Sequence, residues 1–344
     1  MEFEKILQEI TSGLTGDSSV DLPYLQQKMR QYENHPLQKE IQRACGRLMV
    51  QITPADKKAE MDRSMQNEFM AWDATLEEVR FHRYKKEPEK ALELLKSLVD
   101  KADGMLEIGM FADDTVSEYH YFFELYEEIL YRFFEKPERT LRRPGGIPLP
   151  QLYLEYGSIL IDLQRVDEAQ QALAKAVRWN PVNSDIAFEY AETFKVQGNM
   201  EQFCALTRQQ FRYAYRPKQL ARCYRNMGFY FVERQLWQEA MACFLLSLQY
   251  DPDSKNAQLE LYYIQDQTKG KVRQPDAKRI HHIAETNGFP MGPDRDVVGL
   301  AYTLGKQGVE EQNAPMARYY LQIVYDLTEW DEIKTMLDAL PAEE

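Results

Sequence analysis

The sequence predicts an all-α solenoid, a run of helix pairs stacked one on the next. Three observations lead there. At 344 residues the chain exceeds the usual size of one compact core, so either two domains or a repeat array is expected. Two segments, 150–183 and 221–254, place small residues, apolar residues and a closing proline at the same offsets. A fixed period of this length is the mark of a solenoid. The flanking sequence reads as amphipathic segments separated by Gly, Pro and Asn breaks.

From the N terminus, residues 1–52 give three amphipathic segments, parted at Gly13 to Ser19 and at the Asn34-His35-Pro36 turn. Gln66 to Gly104 reads as a long helix, a break at Pro88, and a second helix with Ala91, Leu95 and Leu98 on one face. Thr115 to Glu135 reads as one strongly aromatic helix, with more rings than a single face can hold, and is expected to be buried between neighbours. Asp113 and Asp114 just before it are expected to cap it. Residues 136–149, with their prolines and Gly145-Gly146, exclude helix and are taken as a linker.

The first clear pair follows. Gly157 is the small residue of its first helix, Ala169 stands twelve positions later, and Leu173, Ala176 and Pro181 complete the pattern. The same count from Gly228 meets Ala240, Phe244, Ser247 and Pro252. A glycine and an alanine are expected where two helices cross closely. Residues three apart on one face lie in the seam between helices. Pro181 and Pro252 end the second helices, because the residue before a proline is pushed out of the α region. Residues 184–220 form a degenerate copy, with Ala191 at the first small position, Phe203 at the second, and a turn at Gln197-Gly198-Asn199. Downstream, Asn256 to Thr268, Pro275 to Asn287 and Asp294 to Glu311 read as helices. Pro315 opens another with Ala317, Leu321 and Val324 on one face, and Glu329 to Leu340 is a cap.

This spacing resembles the tetratricopeptide repeat family, with Tyr153 and Tyr224 where tryptophan is commonest. The resemblance implies a right-handed superhelical α-solenoid that binds a protein or peptide without catalysing a reaction. The domain reading is then an N-terminal helical region (1–135) with degenerate pairs, the linker (136–149), three repeats (150–183, 184–220 and 221–254), and C-terminal pairs with a capping helix (255–344). In the family the second, fifth and ninth positions of each repeat face a concave groove. Those positions are Gln151, Leu154 and Ser158, with Ile161 further on, in the first copy. They are Asp185, Phe188 and Glu192, with Lys195 further on, in the second, and Arg222, Arg225 and Phe229 in the third. The family's clamp for a terminal carboxylate uses paired lysines and asparagines. Here Leu154 and Glu189 stand at two of those positions, so that activity is not carried over.

Chemistry is sparse. The five histidines, His35, His82, His120, His281 and His282, form no metal-ligand spacing, and adjacent His281 and His282 point about 100° apart on a helix. No Gly-rich phosphate loop, G-x-S-x-G or H-E-x-x-H occurs. No catalytic residue, cofactor or metal is expected. Cys45, Cys204, Cys223 and Cys243 make no C-x-x-C pair and are read as buried thiols. No basic leader and no apolar run of about 18 residues appears, so a reducing cytoplasmic setting without a membrane is the expectation. A net charge of −13 disfavours nucleic acid as a partner.

One band departs from that acidity. From Gln202 to Val232 there is no acidic residue, while Arg208, Arg212, Arg216, Lys218, Arg222 and Arg225 alternate with aromatics. Arg208, Arg212 and Arg216 recur every four residues and belong to a second, outer helix, where pairing with acidic helices elsewhere is expected. Phe188, Glu192, Lys195, Arg222, Arg225 and Phe229 are the candidate groove, suited to a peptide of acidic character through arginine–carboxylate recognition. The alternative is a ligand-sensing regulatory receptor for a small peptide or nucleotide-like molecule, a class that commonly carries a basic recognition helix. The first sixty residues show none.

Overall fold

The computed structural model describes residues 2–107, 109–146 and 148–341. In chain order its elements are α1 (Glu2–Ser12), α2 (Ser18–Gln31), α3 (Gln38–Ile52), α4 (Ala55–Tyr84), α5 (Pro88–Glu107), β1 (Ser117–Tyr119), α6 (Leu125–Glu135), β2 (Thr140–Arg142), α7 (Leu149–Asp162), α8 (Val166–Trp179), α9 (Ser184–Val196), α10 (Met200–Gln210), α11 (Pro217–Glu233), α12 (Trp237–Tyr250), α13 (Lys255–Thr268), α14 (Ala277–Asn287), α15 (Arg295–Glu310), α16 (Ala314–Thr328) and α17 (Asp331–Asp338). The fold is all-α apart from the short parallel pair β1–β2. The chain divides into two compact units, the first made of residues 1–121 and 138–163, the second of 122–137 and 164–344. This division differs from the one read in the sequence: residues 136–149 are shared between the units, and α7 and α8 fall on opposite sides of the boundary.

In the first unit, α1 and α2 pack on α3 around Ile10, Leu25, Ile41 and Cys45. Further along, α5 lies against α4 and α7. Ala91, Leu95 and Leu98 are buried there, in the expected register, and the Tyr153 hydroxyl donates to Asp103 at 2.6 Å. The stretch before α6 departs from the expected single helix. Asp114 accepts from the Val116 and Ser117 amides and Asp113 from the Tyr119 amide, so these carboxylates shape a turn leading into β1. Asp and Asn side chains bond equally well to the backbone of a turn and of a helix start, which is why sequence reading misassigns them. The helix begins only at Leu125, where the Glu127 carboxylate accepts from the Phe123 amide at 2.8 Å.

The second unit is the regular one. From α8 to α13 each helix packs on its sequence neighbour, the arrangement a solenoid requires. Pro181 and Pro252 follow the ends of α8 and α12 by two residues, and Gly198 takes φ +76° in the turn between α9 and α10. Ala169, Ala176 and Ala240 are fully buried, as is Gly157 in the first unit. At Gly228 a Cβ would stand 2.8 Å from the Phe244 ring, so this glycine makes room for Phe244, the aromatic four residues beyond the expected Ala240. A second glycine crossing, not singled out in the sequence, joins α15 to α16. There Gly305 abuts Leu321 and Gly308 abuts the Ala317 backbone.

Helix α6 is built into this unit. Tyr126 is fully buried, edge-on to Tyr215 and Tyr320, with its hydroxyl donating to the Val297 carbonyl. Glu127 is buried too and accepts from Asn180 Nδ2 at 2.8 Å and Asn183 Nδ2 at 2.6 Å. Burial pushes its carboxyl above the usual range even with these donors.

Candidate functional site

Three first helices, α9, α11 and α13, carry the candidate site in the second unit. Asn183 caps α9 by accepting from the Ile186 amide at 2.9 Å, Pro217 opens α11, and Ser254 caps α13. These starts set the rotation of each helix, and so which side chains meet their counterparts on the next.

The candidate groove residues are brought together, and their cations are already paired. Arg222 donates to Glu189 at 2.8 Å and lies over the Phe188 ring, 5.0 Å from its centroid. Arg225 donates to Asp251 at 2.9 Å. Lys195 is 2.6 Å from Glu192, and its ammonium stands over Phe229 at 4.7 Å. Phe229 meets Phe203 edge-on in turn. Two corrections follow. Phe188 has no exposed surface and belongs to the core beneath Arg222, so it cannot touch a ligand. Arg222 and Arg225, each with an acidic partner inside the unit, do not present unpaired guanidinium groups to a carboxylate. Burial draws the Arg225 guanidinium below its usual range while Asp251 opposes the shift. This is a desolvated pair, in which removing one partner leaves a costly buried charge.

The outer basic stripe serves internal packing. Arg208 donates to the Asn287 and Gly288 carbonyls at the end of α14. Arg212 lies over Phe134 at 4.4 Å and near Glu135, and Arg216 pairs with Glu124, which also accepts from Tyr319 at 2.7 Å. Although burial opposes it, the Tyr319 and Arg216 hydrogen bonds hold the Glu124 carboxyl below the usual range. The stripe thus fastens α6 and the end of α14 in place, which accounts for its segregation in an acidic chain.

Sequence reading missed the surface of α13. Counting on from Lys255 puts Leu259 and Tyr263 at the positions held by Arg225 and Phe229 in the preceding pair, so extending the count by one repeat would have found them. Both are exposed, as is Tyr262. Gln151, Leu154, Ser158 and Ile161 lie on α7 in the first unit, where Gln151 donates to Glu155 at 2.8 Å and Arg83 pairs with Glu155. Among the described residues, no cluster of three or more metal-ligating side chains occurs and no helix is long and apolar enough to cross a membrane.

With that geometry in hand, residues 150–183, comprising α7, α8 and the turn that follows, match a family model described as tetratricopeptide repeat. The match covers 34 of the 344 residues. Among solved structures it is similar to a tetratricopeptide repeat protein from Parabacteroides merdae, at 10% identity and TM-score 0.36, over 98% of this chain and 97% of that one. It is also similar to the C-terminal part of a tetratricopeptide repeat-containing protein from Cytophaga hutchinsonii, at 14% identity and TM-score 0.31, over 76% of this chain and 98% of that one. No curated protein matches it in sequence. The tetratricopeptide repeat match ends at Asn183, so the candidate groove on α9, α11 and α13 lies beyond the matched segment.

Proposed function

We propose that the second unit is a non-catalytic scaffold that holds a peptide or protein segment across α9, α11 and α13. Tetratricopeptide repeats generally mediate contacts between proteins, and the single observation that carries the reading here is the continuity of this face. Lys195 over Phe229, with the Glu192 pair beside it, joins α9 to α11 in one half-exposed surface of aromatic and charged groups. Rigid aromatic anchors rimmed by charged side chains are what binding energy concentrates on. Because Arg222 and Arg225 are engaged with Glu189 and Asp251, recognition is not tied to an acidic ligand.

The test is selection of a displayed random-peptide library on the full chain, followed by affinity measurement against wild type and a Lys195→Ala/Phe229→Ala variant. The variant should weaken the selected peptides by about tenfold or more, a loss of about 1.4 kcal/mol, with its melting temperature held close to wild type. Enrichment of no peptide, or equal binding to the variant, refutes the groove.

A further inference from the structure

The outward side of α13 is apolar. Ala257 and Ile264 on its inner side are fully buried, and Leu261 packs beside them in the core of the second unit. On the opposite side, Leu259, Tyr262 and Tyr263 are 64%, 70% and 43% exposed. Their spacing, i, i+3 and i+4, puts them on one face. A helix apolar on both sides is ordinarily buried on both, whereas α13 packs chiefly on α12 and leaves this second stripe to solvent. Single exposed hydrophobic residues are ordinary, but a contiguous stripe marks an interaction surface.

Charge selects the occupant. Glu260 borders the stripe and makes no ion pair among the described residues, and the same holds for Glu233 at the end of α11 and for Asp266, one turn beyond Tyr262 and Tyr263. Burial raises the Glu260 carboxyl, Lys195 opposes the shift, and Glu233 adds to it. Lys255 lies one turn before Leu259, at the start of α13, and Lys269 follows the end of the helix. Carboxylates without an ion pair therefore border the middle of the stripe, and the two lysines stand at its ends.

We infer that the Leu259–Tyr262–Tyr263 face of α13 docks an amphipathic helix of a partner protein, its apolar side on the two tyrosines and its flanking lysine or arginine residues on Glu260, Glu233 and Asp266. The inference rests on the scaffold reading above and names the partner for the α13 part of that surface. Tyrosine rings supply large contact area at little entropic cost. A lysine or arginine beside Glu260 would neutralise a half-buried carboxylate that makes no ion pair among the described residues.

Two helix-forming peptides of about five turns, or roughly 18 residues, with the same leucine stripe and either lysine or glutamate on its flanks, test this by fluorescence anisotropy with the full chain. The lysine peptide should bind about tenfold tighter, and that preference should shrink between about 0.05 M and 0.5 M salt as screening sets in. Glu233→Gln/Glu260→Gln should bring the two peptides within about twofold of each other, and Leu259→Ser/Tyr262→Ser/Tyr263→Ser should weaken the lysine peptide about tenfold, a loss of about 1.4 kcal/mol. All three positions of the triple variant are exposed, so its melting temperature should stay near wild type. Equal binding of the two peptides, binding of neither, or full retention by the triple variant overturns the inference. Loss of the lysine peptide in Lys195→Ala/Phe229→Ala but not in the triple variant also overturns it, while leaving the groove reading intact.

Discussion

Two alanine substitutions on α15 should move stability in opposite directions. At Gly308 a Cβ would stand 2.6 Å from the Ala317 backbone nitrogen and 2.8 Å from its Cα. Ordinary contact begins near 3.4 Å, so α15 and α16 must separate by about 0.8 Å at the crossing. The obstacle is backbone, which cannot turn aside as a side chain does. Overpacking of this kind costs about 1–3 kcal/mol, whereas alanine in a helix interior is favoured over glycine by about 1 kcal/mol. The net for Gly308→Ala is a loss of up to about 2 kcal/mol. At Gly299, on the same helix, nothing lies within 4 Å of the new Cβ. Gly299→Ala should therefore gain about 0.5–1 kcal/mol from the reduced freedom of the unfolded chain. Urea denaturation followed by tryptophan fluorescence reads both, since Trp179, Trp237 and Trp330 all lie in the second unit and an unchanged slope shows that compactness is unaltered. If Gly308→Ala is as stable as Gly299→Ala, the crossing is not backbone-limited and the packing account of this helix pair fails.

Three further outcomes follow from the second unit. Tyr126→Phe removes the donor to the buried Val297 carbonyl and should cost about 1–3 kcal/mol in the same denaturation experiment; a neutral effect would mean that the carbonyl finds another donor. Glu124 has its carboxyl held low by Tyr319 and Arg216, so its contribution to stability is present above the ordinary glutamate pKa and is lost as pH falls through the lower folded value. Glu124→Gln should flatten that part of the acid limb in a pH series of denaturation curves relative to wild type. Cys204, Cys223 and Cys243 are buried, and burial raises the Cys223 and Cys243 thiols. A thiol reagent should leave all three unmodified in the native chain and label them on unfolding, and fast native labelling would contradict the packing of α10 to α12.

Much of the architecture was legible in the residues. Helix starts and stops are local events, and Pro88, Pro217, Asn199, Ser254 and Pro315 mark them chemically. The pair α11–α12 was legible because a glycine at a crossing has few substitutes. The stretch 113–124 was not, because Asp113 and Asp114 serve a turn with the same chemistry they would bring to a helix cap. Among the site residues, the helical face shared by Glu192, Lys195, Arg222, Arg225 and Phe229 could be counted, but the exposed face of α13 needed the count carried one repeat further.

The sequence by itself determined that the chain is helical, where most helices begin and end, and that one segment carries the spacing of a tetratricopeptide repeat, because those properties depend on neighbours a few residues apart. The tertiary structure alone decided which charges remain unpaired. Glu189 and Arg222 are 33 residues apart, Arg225 and Asp251 26, and Arg216 and Glu124 92. Coulomb attraction acts through space at a few ångströms, so the basic band could be counted along the chain, but only the packing of α6, α9 and α12 reveals that its arginines are held from within.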